Sequence, residues 1–199
     1  MEAVITGDIV NSRKEQAAEW LPLLKEVLEK YGSSPGEWEI FRGDSFQLLL
    51  PPHQALKAAL HLKAGLKLLK GLDVRMAIGI GEPDHQAKKV TEANGPAFIR
   101  SGECFETLKK QQLAISTPDQ EVNEALNLLF SLALLSMNSW SPTVAGVIKT
   151  SLEHPNKNQK ELARMLHRSQ SSISEALTRG GFEEVMQMNE FYLKQLKKL

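Results

Sequence analysis

The sequence predicts an α+β fold: a ferredoxin-like sheet domain over residues 1–117, then an all-α helix-turn-helix domain over residues 118–199. Three observations carry this. Up to Ser116, apolar β-branched runs alternate with segments of helical periodicity, in the order β-α-β-β-α-β-α-β. From Thr117 onward every apolar pattern has the helical period. Near the C-terminus, two short amphipathic segments flank a polar turn with an N-cap serine, Ser169.

The elements follow in order. Ala3 to Val10 is apolar and β-branched, the pattern of a buried strand. Asn11 and Ser12 are caps for a helix reaching about Tyr31, with Pro22 interrupting it or starting a second segment. Ser33 to Gly36 is a loop by composition. Glu37–Arg42 and Ser45–Leu50 read as two strands of a hairpin around Gly43-Asp44, ended by Pro51-Pro52. Gln54 to Leu69 carries Leu56, Leu60, Ala64 and Leu68 at helical spacing. Val74 to Ile80 is a strand, Gly95 to Lys110 a helix, and Leu113 to Ser116 a short strand. This is the split βαβ order, which calls for an antiparallel sheet with helices on one face. Strand 1 then lies beside the hairpin in the sheet centre, and Asp8 approaches Asp44.

In the second half, Thr117-Pro118-Asp119 opens a helix to about Met137, and Ser141-Pro142 caps another to about Leu152. A polar turn, His154 to Asn158, precedes the segments Gln159–His167 and Ser169–Arg179. A last helix runs from Phe182 to Leu199, and its Phe182, Val185, Met188, Tyr192 and Leu196 offer a homodimer face or pack on their own domain.

Composition excludes several classes. At 42% hydrophobic and 24% charged, the chain is an ordinary globular sequence. No apolar run has the roughly 18 residues of a membrane span; Asn127 and Ser131 break the longest candidate, Ala125 to Met137. The N-terminus lacks a basic start and apolar core, so no signal peptide is expected. One cysteine, Cys104, excludes an internal disulfide and a cysteine cluster, which suits a reducing cytoplasm. The histidines, His53, His61, His85, His154 and His167, show no zinc spacing. Net charge is zero, but residues 155–199 hold eight basic and five acidic side chains, so positive charge gathers at the C-terminal end.

The stretch NQKELARMLHRSQSSISEALTRG carries the helix-turn-helix pattern. Leu162, Ala163, Leu166, Ile173, Ala176 and Leu177 bury one side, and small Ala163 lets the second helix cross closely. Behind Ser169 the second helix exposes Glu175 and, beside it, the Gln, Ser, Thr and Arg side chains of Gln170, Ser171, Ser172, Ser174, Thr178 and Arg179. Such side chains read base edges or hold phosphates. The stretch resembles the helix-turn-helix of bacterial repressors, with one departure: His167 stands where the turn usually has Gly, which calls for either a strained positive φ there or a different turn geometry. A helical protein-interaction module is the alternative.

Gly7-Asp8-Ile9-Val10, Phe41-Arg42-Gly43-Asp44-Ser45-Phe46 and Arg75 to Gly81 resemble the palm of class III nucleotide cyclases and of diguanylate cyclases. The resemblance implies that Asp8 and Asp44 hold Mg²⁺ with a nucleotide, with Gly7, Ile9, Arg42, Gly43 and Ser45 around the ligand. The departures count against a full cyclase. Ser45 replaces a second glutamate, Glu39 and Ile40 fall where a base-recognising lysine is expected, and Arg100 alone approximates the transition-state pair. Structural roles compete: Gly-Asp suits a hairpin turn, and Asp8 suits a helix cap. Gly79-x-Gly81 lacks the third glycine of a dinucleotide fingerprint and reads as a strand end.

Over nearly its full length the chain resembles the SatD family of bacterial proteins, through AVITGDIVNSR, FRGDSFQ, VRMAIGIGE and GPAFIRSGE followed by the helix-turn-helix. The resemblance implies a bacterial, cytosolic protein. The functional expectation is a DNA-binding transcription regulator whose palm-like domain binds a nucleotide or another phosphate ligand. The alternatives are a divergent Mg²⁺-dependent nucleotidyl transferase or cyclase, and a non-catalytic interaction module.

Overall fold

A computed structural model describes residues 1–82 and 87–199; His85 lies outside the described residues. The fold is α+β, with a five-stranded mixed sheet and eight α-helices among the described residues. The strands are β1 (Glu2–Val10), β2 (Trp38–Phe41), β3 (Ser45–Leu50), β4 (Asp73–Gly81) and β5 (Leu113–Ser116). The helices are α1 (Ala17–Leu28), α2 (Pro52–Leu66), α3 (Pro96–Thr107), α4 (Gln120–Met137), α5 (Pro142–Glu153), α6 (Gln159–Met165), α7 (Gln170–Gly180) and α8 (Phe182–Leu196).

Strand order is β2-β3-β1-β4-β5, so the first strand lies at the centre beside the hairpin, as the sequence predicts. Two expectations differ. The sheet is not wholly antiparallel, because β5 joins β4 in parallel after the α3 crossover. Nor do the helices share one face. Side chains alternate along β4: Val74, Met76, Ile78 and Ile80 enter the main core under α1 and α2, while Ala77 packs with Leu108, Ala114 and Cys104 on the other face. There Gly79 and Gly81 clear a floor for α3. A Cβ on Gly79 would lie 2.1 Å from the Ala97 carbonyl oxygen and 2.4 Å from the Ser101 nitrogen. These glycines close β4 at its C-terminal end, as the sequence reading has it, and there they also form the floor on which α3 docks.

Helix α1 starts later than the caps Asn11 and Ser12 suggest. Asn11 adopts a left-handed conformation, φ 66°, and its amide donates to the Gly71 carbonyl instead of capping a helix. A short 3₁₀ turn, Ser12–Lys14, follows, and Pro22 lies inside α1 without ending it. The later caps act as read: the side chains of Asp119, Ser141 and Ser169 accept from the Val122, Val144 and Ser172 amides.

Helix α2 is buried round most of its circumference, as a helix between two layers must be. It packs on β1 and β4 on one side and meets α1, α5 and α8 on others. One hydrophobic core runs from the sheet through α2 into α4–α8, across the junction at residue 117. Val185, Met188 and Tyr192 belong to that core, so they are not the dimer face that α8's spacing suggests. The Tyr192 hydroxyl donates to the Pro52 carbonyl at 2.6 Å, pinning α8 to the start of α2.

Candidate functional site

The sheet's registers assemble a polar corner at the end of β1. Asp8 lies opposite Ser45 on β3 and opposite Arg75 on β4. The Ile9 amide donates to the Asp44 carbonyl at 3.1 Å, which brings the hairpin turn against β1. That turn holds two successive positive φ values, Arg42 at 52° and Gly43 at 93°. Gly43 suits the second without strain, and a Cβ there would meet nothing within 4 Å.

Arg75 grips Asp8 with both arms of its fork: Nη2 donates to Oδ2 at 2.6 Å and Nε to Oδ1 at 3.2 Å. Nη1 donates to the Leu108 carbonyl at 3.0 Å, and the guanidinium lies 4.8 Å from the Phe105 ring centroid. The bond to Asp8 pushes the Arg75 pKa up. Asp44 Oδ2 accepts from the Ser12 hydroxyl at 2.5 Å. A divalent cation between these carboxylates would compete with a guanidinium already holding both oxygens of Asp8, so this arrangement does not fit the Mg²⁺ the palm resemblance implies. Among the described residues no group of three or more His, Cys, Asp or Glu is placed to hold a metal.

A second arrangement lies at α5–α7. Helix α6 opens with a capping box: Asn158 accepts from the Lys160 and Glu161 amides, and Glu161 reaches back to the Asn158 amide. The chain then turns through His167 at φ 51°, the first of the two geometries expected there. Ser169 caps α7. Ile173, Ala176 and Gly180 face inward, and the Trp140 indole donates to the Gly180 carbonyl at 2.8 Å, fixing α7 against the rest of the chain. Ser169, Gln170, Ser171, Glu175, Thr178 and Arg179 are exposed; Ser172 and Ser174 are half-buried. Arg164, His167 and Arg168 are exposed beside them.

The SatD family matches this chain over residues 2–191. The chain belongs to the SatD family. No curated protein and no solved structure matches it. No described helix of this SatD-family chain is long and apolar enough to cross a membrane.

Within this family member, the structure brings Asp8, Asp44, Ser45 and the Ile9 amide together at one corner. Gly7 and the Ile9 side chain turn the other way. A Cβ on Gly7 would stand 2.6 Å from the Phe46 ring, and Ile9 is buried in the main core. Arg42 is exposed and has no ion pair among the described residues. Arg100 is held by the Ile80 carbonyl at 2.9 Å, and Glu39 accepts from the Thr91 hydroxyl. Burial pushes the Cys104 thiol pKa up, consistent with packing and not with a nucleophile.

Sequence reasoning missed Arg75 as the partner of Asp8. The signal was present: pairing Ala3–Val10 antiparallel with Val74–Ile80 sets the two opposite one another. It also missed two buried polar networks on α2. Lys63 Nζ donates to Asp73 Oδ1, Gln112 Oε1 and Asn138 Oδ1 at 2.7, 2.8 and 2.9 Å. His61 meets Glu153 Oε1 at 3.0 Å and the Tyr31 hydroxyl at 3.2 Å. Their signal, lysine and histidine inside an apolar helix, becomes legible only once α2 is known to be covered on several sides.

Proposed function

We propose that the chain is a DNA-binding transcription regulator. Helices α6 and α7 act as a helix-turn-helix, with residues 118–199 as the DNA-binding part and residues 1–117 as a palm-like sensing part. The observation that carries this is the turn. A left-handed His167, then the Ser169 cap, presents Gln170, Ser171, Ser174, Thr178 and Arg179 opposite the buried Ile173, Ala176 and Gly180. In such a unit the first turn of the second helix meets base edges, and its free amides favour phosphate. Gln170 reads a base and Arg179 holds a phosphate, while Ser169, Ser171, Ser172, Ser174 and Thr178 fill the interface.

Fluorescence anisotropy with a pool of genomic fragments at low salt tests this. The wild type binds. Gln170→Ala costs about 1–3 kcal/mol on its preferred site, and Arg179→Ala lowers the salt slope by about one. No retention of any fragment by the wild type at low salt would reject the reading and leave an interaction module.

The Asp8–Asp44 corner is the proposed site for a nucleotide or another phosphate ligand. The exposed Arg42, free of ion pairs among the described residues, and the open space beside Gly43 favour an anion at the hairpin. Mg²⁺ would enter with that ligand only after Arg75 leaves Asp8, so no chemical step is assigned to it. Calorimetry with each nucleoside triphosphate, with and without Mg²⁺, separates the cases. Heat lost in Asp44→Ala and Arg42→Ala, without turnover, supports a sensor; turnover supports a nucleotidyl transferase; no heat rejects the ligand site.

A further inference from the structure

Strand β5 ends the sheet, and among the described residues no further strand pairs with its open side. Such an edge presents a row of free amides and carbonyls, a template on which another chain can add a strand. Here that row is occupied. The Gln112 carbonyl accepts from the Met76 amide at 2.9 Å, so alternate residues from 112 face β4, while Leu113, Ile115 and Thr117 turn their backbone groups outward. Side-chain amides meet those groups. Asn127 Nδ2 donates to the Ile115 carbonyl at 2.9 Å, and Asn127 Oδ1 accepts from the Ile115 amide at 2.9 Å. At Thr117, Asn123 Oδ1 accepts from the amide at 2.7 Å and Asn123 Nδ2 donates to the carbonyl at 3.1 Å. Gln111 Nε2 donates to the Leu113 carbonyl at 2.8 Å.

A side-chain amide holds an acceptor and donors in one plane, so each asparagine satisfies both groups of a strand residue, as the peptides of a neighbouring strand would. The spacing allows two such pairs at once. Four residues along a helix advance about 6 Å, and two residues along a strand advance about 6.6 Å. Asn123 and Asn127 lie one turn apart on α4; Thr117 and Ile115 lie two residues apart along the edge. The pairs run in opposite directions because the chain reverses at Pro118-Asp119, where the Asp119 side chain caps α4. That cap sets where α4 starts, and the start sets which side chains reach the edge.

We propose that Asn123 and Asn127 plug the β5 edge: they are an autoinhibitory contact that keeps a second copy of this chain from adding its own β5. The strand itself, Leu-Ala-Ile-Ser, carries no charge and no proline, the usual edge defences. Two unplugged edges are therefore free to pair about a two-fold axis. The plug goes beyond the DNA-binding reading and does not rest on it.

The test replaces both asparagines by leucine, which keeps the side-chain size and removes both pairs. In the full chain, amide exchange read by NMR should speed up about tenfold or more at Ile115 and Thr117. At the same micromolar concentration, light scattering should show assemblies larger than the wild type's, and thioflavin T should stain them. Two controls separate an open edge from simple destabilisation. Asn127→Asp loses the donor to Ile115 but sets a charge on the edge, which resists strand addition. Leu152→Ala truncates the core on α5. Both should melt lower than the wild type without assembling. Should the double variant fail to fold, Asn127→Leu against Asn127→Asp decides. Unchanged exchange at Ile115 overturns the proposal. So do leucine variants that stay at the wild-type mass, and assembly that the two controls share equally.

Discussion

Asp8 and Arg75 face each other across two central strands, and a single substitution measures what the pair contributes. Arg75→Met leaves Asp8 half-buried without its donors and frees the Leu108 carbonyl. The two side chains are 24% and 30% exposed, so solvent screens part of the loss. Urea denaturation should show destabilisation of about 1–2 kcal/mol. Adding Asp8→Asn should cost less than the separate effects combined, because the uncompensated charge is gone. Singles that both match the wild type would show that the pair does no structural work. Gly79 makes a sharper case. Its Cβ has no room beneath α3, where the obstructing atoms belong to the Ala97 and Ser101 backbone and cannot rotate away. Gly79→Ala should cost about 3 kcal/mol or prevent folding, read as a lowered Tm; an unchanged Tm would mean α3 does not seat on β4 as described.

Helix α2 shows how burial of an element sets the chemistry of its residues. Wedged between the sheet and the C-terminal helices, it carries Lys63 and His61 where water does not reach. Burial pulls the Lys63 pKa down to about 8, against the raising effect of Asp73. Burial pulls His61 down to about 4, while Glu153 raises it and Lys149 and Lys30 lower it further. A folded value below the unfolded one, roughly 6.5, means the native state binds the proton less readily. This contribution is complete above about pH 6.5 and fades as pH falls toward the folded value, to a total on the order of 3 kcal/mol. His61→Gln should flatten the stability profile across that window in urea titrations at several pH values. An unaltered slope would show that other carboxylates carry the acid sensitivity. The same burial separates what was legible from what was not. The strands, the Gly43-Asp44 hairpin and the caps at Asp119, Ser141 and Ser169 are local patterns, so the sequence displays them. The proximity of Asp8 to Asp44 followed from strand order. The late start of α1, the face taken by α3 and the Arg75 pair depend on distant neighbours: Gly71 for Asn11, Ala97 for Gly79, β4 for Asp8. Propensity and periodicity do not encode those contacts.

For the molecule as a whole, the outer side of α4 carries the longest exposed apolar stripe among the described residues. Val122, Leu126, Phe130, Leu134 and Met137 turn into the core, as an amphipathic helix should. Leu128, Leu132 and Leu135 turn outward at 62%, 56% and 78% exposure. With Ala125 they repeat at alternating spacings of three and four, the seam spacing of a coiled coil. Phe191 of α8 lies exposed alongside, and the cavity between them is lined by Ala125, Leu128, Leu129 and Met188. A stripe of this kind is disfavoured in water, and a second copy of the chain offers a matching stripe about a two-fold axis. A helix-turn-helix protein gains from such pairing, because one module makes few contacts and two read successive half-sites. The full chain should therefore sediment as a dimer at micromolar concentration. Leu128→Glu with Leu132→Glu should yield monomers whose urea stability changes by about 0.5 kcal/mol or less per site, since neither leucine fills the core. On the proposed DNA-binding reading, the same variant should lose DNA affinity far more than Arg179→Ala does, because pairing would bring two modules to the DNA. A wild type that sediments as a monomer throughout this range would leave the stripe unexplained by self-association and would confine any DNA contact to a single α7.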